Sequence, residues 1–166
     1  MTSELKQAVT RIAEVIMFEN WLRFYFIAEE EGGTLRLLLP EKAMLQIKER
    51  YADFHDLALH LNGHEIDAQT SMKEICLFVS GDFNGRPLPE YVLAQVFDNP
   101  DFQAEMQLFS YWVQVHEQQL DAAFMEFSVW REQYEQWKKS DSVKSYAKDL
   151  AVKFTLASTD APETSQ

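Results

Sequence analysis

Apolar residues recur at helical spacing through most of this chain, and the breaks in that pattern divide it into segments of helical length. Leu5, Val9, Ile12 and Ile16 begin a stripe that runs from Ser3 to about Glu30. Extended at about 100° per residue, the stripe takes in Asn20 and Arg23, with Glu19 beside it, while Phe18, Trp21 and Tyr25 lie on the opposite face. The second half is therefore apolar nearly all round, as in a central helix or one that meets a second chain. A β-hairpin is the alternative over residues 22–39. Leu22 to Ala28 is rich in aromatics, and Gly32-Gly33 followed by Thr34 to Leu39 has the composition that closes a hairpin. Glu29 to Glu31 would also sit badly at the negative end of a helix dipole. The upstream periodicity favours helix.

Pro40 suits the first position of a second helix, with Glu41 in its first turn. Met44, Ile47, Tyr51, Phe54, Ala58 and Leu61 form one stripe, closed by Asn62-Gly63. A shorter helix starting near Asp67 or Thr70 and ending at Gly81 follows, with Ser71 and Glu74 as a capping box. Its Ile75 to Val79 run reads equally as a buried strand. Pro89 opens a short helix to about Phe97. Asn99 then caps a helix with Pro100 and Asp101 in its first turn. Phe102, Met106, Phe109, Val113, His116, Leu120, Phe127 and Tyr134 share its face as far as Lys139. That is about 40 residues and ~60 Å, unless the helix breaks near Gln118 to Ala122. Leu108, Val115, Ala122 and Val129 add a second stripe. Ser140 or Asp141 caps a last helix with Val143, Ala147, Leu150 and Phe154 inward, and 157–166 reads as a disordered tail. The expected fold is mainly α: an irregular bundle of about six helices, one very long (about 100–139), in a single domain over 1–156.

Charge narrows the partners. Fifteen Lys and Arg against 27 Asp and Glu give a net −12 over 166 residues, which disfavours direct binding to nucleic-acid backbones or anionic membranes. No Lys or Arg falls between Pro87 and Trp130, where Glu90, Asp98, Asp101, Glu105, Glu117, Asp121 and Glu126 stand. Arg131, Lys138, Lys139, Lys144, Lys148 and Lys153 follow. The one cysteine, Cys76, excludes an internal disulfide and any multi-cysteine metal site. Met1 to Lys6 lacks a basic leader, and Val15 to Ala28 is too short and too charged to span a bilayer. A cytoplasmic protein is expected.

Few residues invite chemistry. Asp56, His60 and His64 would share a face on an unbroken helix and could chelate zinc or iron. Asn62-Gly63, however, should end the helix between the two histidines, so a solvated helix end is the plainer reading. His116 lies inside an apolar stripe. It either lines a ligand pocket with Glu19, Asn20 and Arg23 or is a core histidine bonded to one of them. Glu19 and Arg23 are spaced as a helical ion pair. The Ser80 to Gly85 loop lacks the charged ligands a calcium loop needs, since Ser80 and Tyr91 occupy its first and twelfth positions. No phosphate-cradling loop, nucleophile elbow or dinucleotide fingerprint is present, and no cofactor is expected.

The sequence thus leans toward a non-enzymatic protein-interaction module, an adaptor or small regulator that also forms a homodimer. Trp21, Tyr25, Glu105, Glu117 and Asp121 are its expected interaction surface, and an acidic surface mimicking nucleic acid is a variant. The alternative is a helical bundle that binds a small ligand through His116 or a metal through the His60/His64 cluster.

Overall fold

A computed structural model of the chain describes residues 3–25, 28–31, 34–63, 90–122 and 124–159. The protein is mainly helical, with eight helices and one two-stranded hairpin among these residues. In chain order they are α1 (Ser3–Tyr25), β1 (Ala28–Glu31), β2 (Thr34–Leu37), α2 (Glu41–Arg50), α3 (Ala52–Leu61), α4 (Glu90–Asp98), α5 (Pro100–Val115), α6 (Glu117–Ala122), α7 (Phe127–Lys138) and α8 (Asp141–Thr159). Among the described residues no helix is long and apolar enough to cross a membrane. The chain groups into two compact units, Lys6–Glu90 and Tyr91–Gln166 with Met1–Leu5.

In the first unit, Ala8, Ile12, Val15, Phe18 and Leu22 of α1 are buried, and so are Met17, Glu19 and Trp21. Burial round the second half of α1 matches its all-round apolar character, and the chain itself covers that surface. The helix stops at Tyr25, short of Glu30. Ala28 to Glu31 instead pairs antiparallel with Leu37 to Thr34, with Glu31 opposite Thr34. Both readings of residues 22–39 therefore hold in part. Helix persists while the apolar stripe lasts, and the Glu29–Glu31 run escapes the negative helix end by going into a strand.

The segment expected as one helix after Pro40 is two. Tyr51 leaves helical geometry at φ −132° and ψ 54°. Its ring then meets Phe18 at 6.0 Å and Trp21 at 5.7 Å, both edge-on, while Phe54 stacks on Phe18 at 4.4 Å. Such aromatic pairs offset the local loss of helix. The stripe survives the break, with Ile47, Phe54, Ala58 and Leu61 buried. Asn62 and Gly63 end α3 as the sequence implies, Gly63 at φ +84°, and they also hold the hairpin. Asn62 Oδ1 accepts the Leu39 N–H at 2.8 Å, the Gly63 N–H donates to Leu37, and Arg36 Nη1 donates to the Gly63 carbonyl at 3.0 Å. The segments expected over 67–81 and the Ser80–Gly85 loop lie outside the described residues, as does Cys76.

In the second unit, α5 starts as its sequence requires. Asn99 Oδ1 accepts the Phe102 N–H at 3.0 Å, with Pro100 in the first turn. The 40-residue helix expected beyond it does not form. His116 turns out of helical geometry at φ −107° and ψ 13°, α6 ends at Ala122, and Phe124 to Glu126 are non-helical before α7. The chain doubles back so that α7 side chains meet those of α5. The reason is burial: a straight rod would leave one aromatic face exposed along its whole length, whereas the reversal buries Phe109 and Trp112 against Trp130 and Tyr134. The second stripe breaks up with the helix. Leu108 is buried, while Val115 and Val129 stay exposed. The last helix begins at Asp141 with Val143 and Leu150 buried, and it packs closely on α5. It continues to Thr159, so residues 157–159 are helix where a tail is expected; residues 160–166 of that expected tail lie outside the described residues.

Candidate functional site

The densest chemistry among the described residues is aromatic, and it gathers on α5, α7 and α8. Helical spacing puts Phe109 and Trp112 on one face of α5 and Trp130, Tyr134 and Trp137 on one face of α7. Phe109 meets Tyr134 at 5.3 Å and Trp130 at 5.6 Å, both edge-to-face, and Trp112 meets Trp130 at 5.1 Å. These four rings are buried and form a stiff floor. Trp130 Nε1 is buried with no hydrogen-bond acceptor among the described residues. Its edge-to-face ring contacts with Phe109 and Trp112 are the kind that tolerate an indole N–H.

From this floor the rings step outward. Trp137 lies 6.2 Å from Tyr134 and 6.0 Å from Tyr111, which in turn lies 5.2 Å from Tyr146 of α8. Tyr111 is 43% exposed, and Trp137 and Tyr146 are half-buried. Three helices thus each contribute one ring to a continuous surface patch.

A polar clasp ties α5 to α7 next to it. The Tyr134 hydroxyl donates to Glu105 Oε2 at 2.6 Å, and Lys138 Nζ donates to Glu105 Oε1 at 3.0 Å. Lys138 also sits 4.6 Å from the Tyr134 ring centre and 3.3 Å from Glu135. Burial pushes the Tyr134 phenol far above its ordinary range, and the charge and hydrogen bond of Glu105 push it further. The protonated phenol donates to Glu105 and so ties α7 to α5.

His116 closes the patch at the C-terminus of α5. Its Nδ1 lies 3.0 Å from the Trp112 carbonyl, which can only accept, so Nδ1 donates this bond. The half-buried ring stands 6.1 Å from Trp112 and 5.9 Å from Trp137. The grouping of His116 with Glu19, Asn20 and Arg23 spans the two units, and each part has local partners. Glu19, only 4% exposed, pairs with Arg23 one turn on, and Asn20 Nδ2 donates to the Ile16 carbonyl of its own helix at 2.9 Å.

The expected surface set is divided. Trp21 is 1% exposed and packs against Phe18, Tyr25 and Tyr51, so it is core and not a contact surface. Tyr25 is half-buried, Glu105 serves the clasp, and Glu117 and Asp121 are exposed. Of the expected metal set, Asp56 is exposed on α3, while the side chain of His60 and all of His64 lie outside the described residues. The helix does end between the two histidines, at Leu61. Among the described residues no group of three or more His, Cys, Asp or Glu is placed to hold a metal ion.

Sequence reasoning missed Tyr111, Trp112, Trp130, Trp137 and Tyr146. The i, i+4, i+7 spacing of Trp130, Tyr134 and Trp137 was a usable signal, but a continuous helix would have set them far from Phe109 and Trp112. Set against known proteins, the chain matches no protein-family model, no curated protein and no solved structure.

Proposed function

We propose that the chain is a non-enzymatic protein-interaction module that binds its partner through the Tyr111–Trp137–Tyr146 patch. The observation that supports this reading is that three half-exposed rings from three helices stand on a buried aromatic floor. Tyr and Trp are enriched among the few residues that dominate binding energy in protein interfaces, and rings fixed by packing lose little entropy on binding. The polar candidates for chemistry are occupied instead: Glu19, Arg23, Asn20 and His116 Nδ1 all bond within their own helices. Homodimer formation and a cytoplasmic setting belong to the same reading.

The test is affinity capture from the host lysate with wild type and Trp137→Ala side by side, read by quantitative mass spectrometry after circular dichroism has shown that both fold. A stoichiometric partner lost in the variant supports the patch. A partner retained by the variant moves the interface elsewhere, and no partner at either low or high salt ends the adaptor reading. A small-ligand role at His116 is the second reading, favoured by its half-buried ring standing 6.1 Å from Trp112 and 5.9 Å from Trp137. Native mass spectrometry of protein as purified tests it: a bound small molecule that disappears in His116→Ala would replace the first reading.

A further inference from the structure

We infer that Asn62–Gly63 is a latent self-modification site: the folded hairpin junction blocks its deamidation, and opening of that junction releases it. In an Asn–Gly step the glycine nitrogen attacks the side-chain amide carbon of the asparagine, with no Cβ on the glycine to stand in the way. The space around Gly63 is open as well, since even an added Cβ would meet nothing within 4 Å. Attack forms a bond from the Gly63 nitrogen to Asn62 Cγ and breaks the Cγ–Nδ2 bond. The Gly63 amide proton goes to hydroxide or water, and Nδ2 leaves as ammonia with a proton taken back from solvent. Water then opens the five-membered imide at either carbonyl, leaving aspartate or isoaspartate at position 62.

Asn62 is exposed, so hydroxide reaches it, and access alone would let the reaction run. Conformation is what holds it. The Asn62 backbone lies at φ −62° and ψ 124°, which turns the Gly63 nitrogen away from the Asn62 side chain. Ring closure needs Cβ and that nitrogen eclipsed about the Cα–C bond. Both reacting groups are also tied to residues 36–39. The Gly63 N–H donates to the Leu37 carbonyl, Asn62 Oδ1 accepts the Leu39 N–H at 2.8 Å, and Arg36 Nη1 donates to the Gly63 carbonyl at 3.0 Å. The Leu39 N–H polarises Cγ toward attack, yet the same bond fixes the side chain where the nitrogen does not reach it. Because the three bonds converge on a two-residue step, one local opening removes them together. Isoaspartate then makes the opening permanent. It adds a methylene to the main chain and shifts Gly63 out of register with Leu37 and Arg36. The inference does not rest on the aromatic patch.

Peptide mapping by mass spectrometry tests it on the full chain, incubated at mildly alkaline pH both folded and in urea. The other Asn–Gly step of the sequence, Asn84–Gly85, is mapped separately and gives the intrinsic rate in urea. Asn62 should convert roughly tenfold or more slowly in the folded chain than in urea, with isoaspartate among the products. Arg36→Ala, folded by circular dichroism, should convert faster than wild type. If that variant does not fold, wild type in sub-denaturing urea takes its place, and Asn62 conversion should rise in step with hydrogen exchange of the Leu39 and Gly63 amides. A folded chain that converts as fast as the unfolded one overturns the inference, and so does an Asn62 that is inert in both states. A rate indifferent both to Arg36→Ala and to amide exchange, or a product without isoaspartate, overturns it equally.

Discussion

Tyr134 on α7 donates to Glu105 on α5 at 2.6 Å across 29 residues of sequence, and the two ends of this bond are unequal. The tyrosine is buried, whereas the Glu105 side chain is 33% exposed. Removing Glu105 strands a phenol in the core, while removing the hydroxyl leaves a carboxylate that water can reach. Glu105→Ala should therefore destabilise by about 1–3 kcal/mol and Tyr134→Phe by less, about 0.5–1.5 kcal/mol. Urea denaturation of both variants checks the order; a costlier Tyr134→Phe would contradict it.

The same phenol sets an alkaline limit. Its folded pKa is raised above the unfolded value, so above about pH 10 the unfolded chain loses this proton while the folded chain keeps it. Fewer protons on the unfolded state means that stability falls as pH rises. The contribution is intact below about pH 10 and is lost above it at about 1.4 kcal/mol per pH unit. Denaturation midpoints between pH 9 and about 11 should fall more steeply for wild type than for Tyr134→Phe, and equal slopes would count against a buried neutral phenol.

Trp21 and Trp137 should separate stability from binding. Trp21→Ala empties a buried ring site against Phe18 and Tyr51 and should cost about 3–5 kcal/mol. Trp137→Ala, on a half-buried ring, should keep the fold by near-ultraviolet circular dichroism. Thermal melts of the two, run together, read the difference directly.

The Asn99 cap offers a local test. Its Oδ1 holds the Phe102 N–H at 3.0 Å, and Asn99→Ala should cost about 1 kcal/mol, with Asn99→Asp near neutral. A cost that is the same for both variants would show that the amide, and not the acceptor oxygen, is what matters at this position.

Much of the secondary structure was legible because its causes are local. The Asn99–Pro100 start, the Asn62–Gly63 stop, the Asp141 start and the all-round burial of α1 follow from capping chemistry and from apolar spacing along one helix. Trp21 shows where that legibility ends. Its ring looked like surplus surface because α1 carries more apolar area than one face needs, yet Tyr51 and Phe18 cover it.

The sequence by itself determined most of the helical segments, where several helices are capped and that large aromatic side chains build the interior. Tertiary structure decided where the long helical pattern folds back and, with it, which aromatics meet. Periodicity is identical for a straight helix and for one that turns at His116, ends at Ala122 and resumes at Phe127, since both keep Phe109 and Tyr134 on an apolar face. What separates them is the free energy of bringing Phe109 and Trp112 against Trp130 and Tyr134, a contact between residues far apart in sequence that no local pattern records.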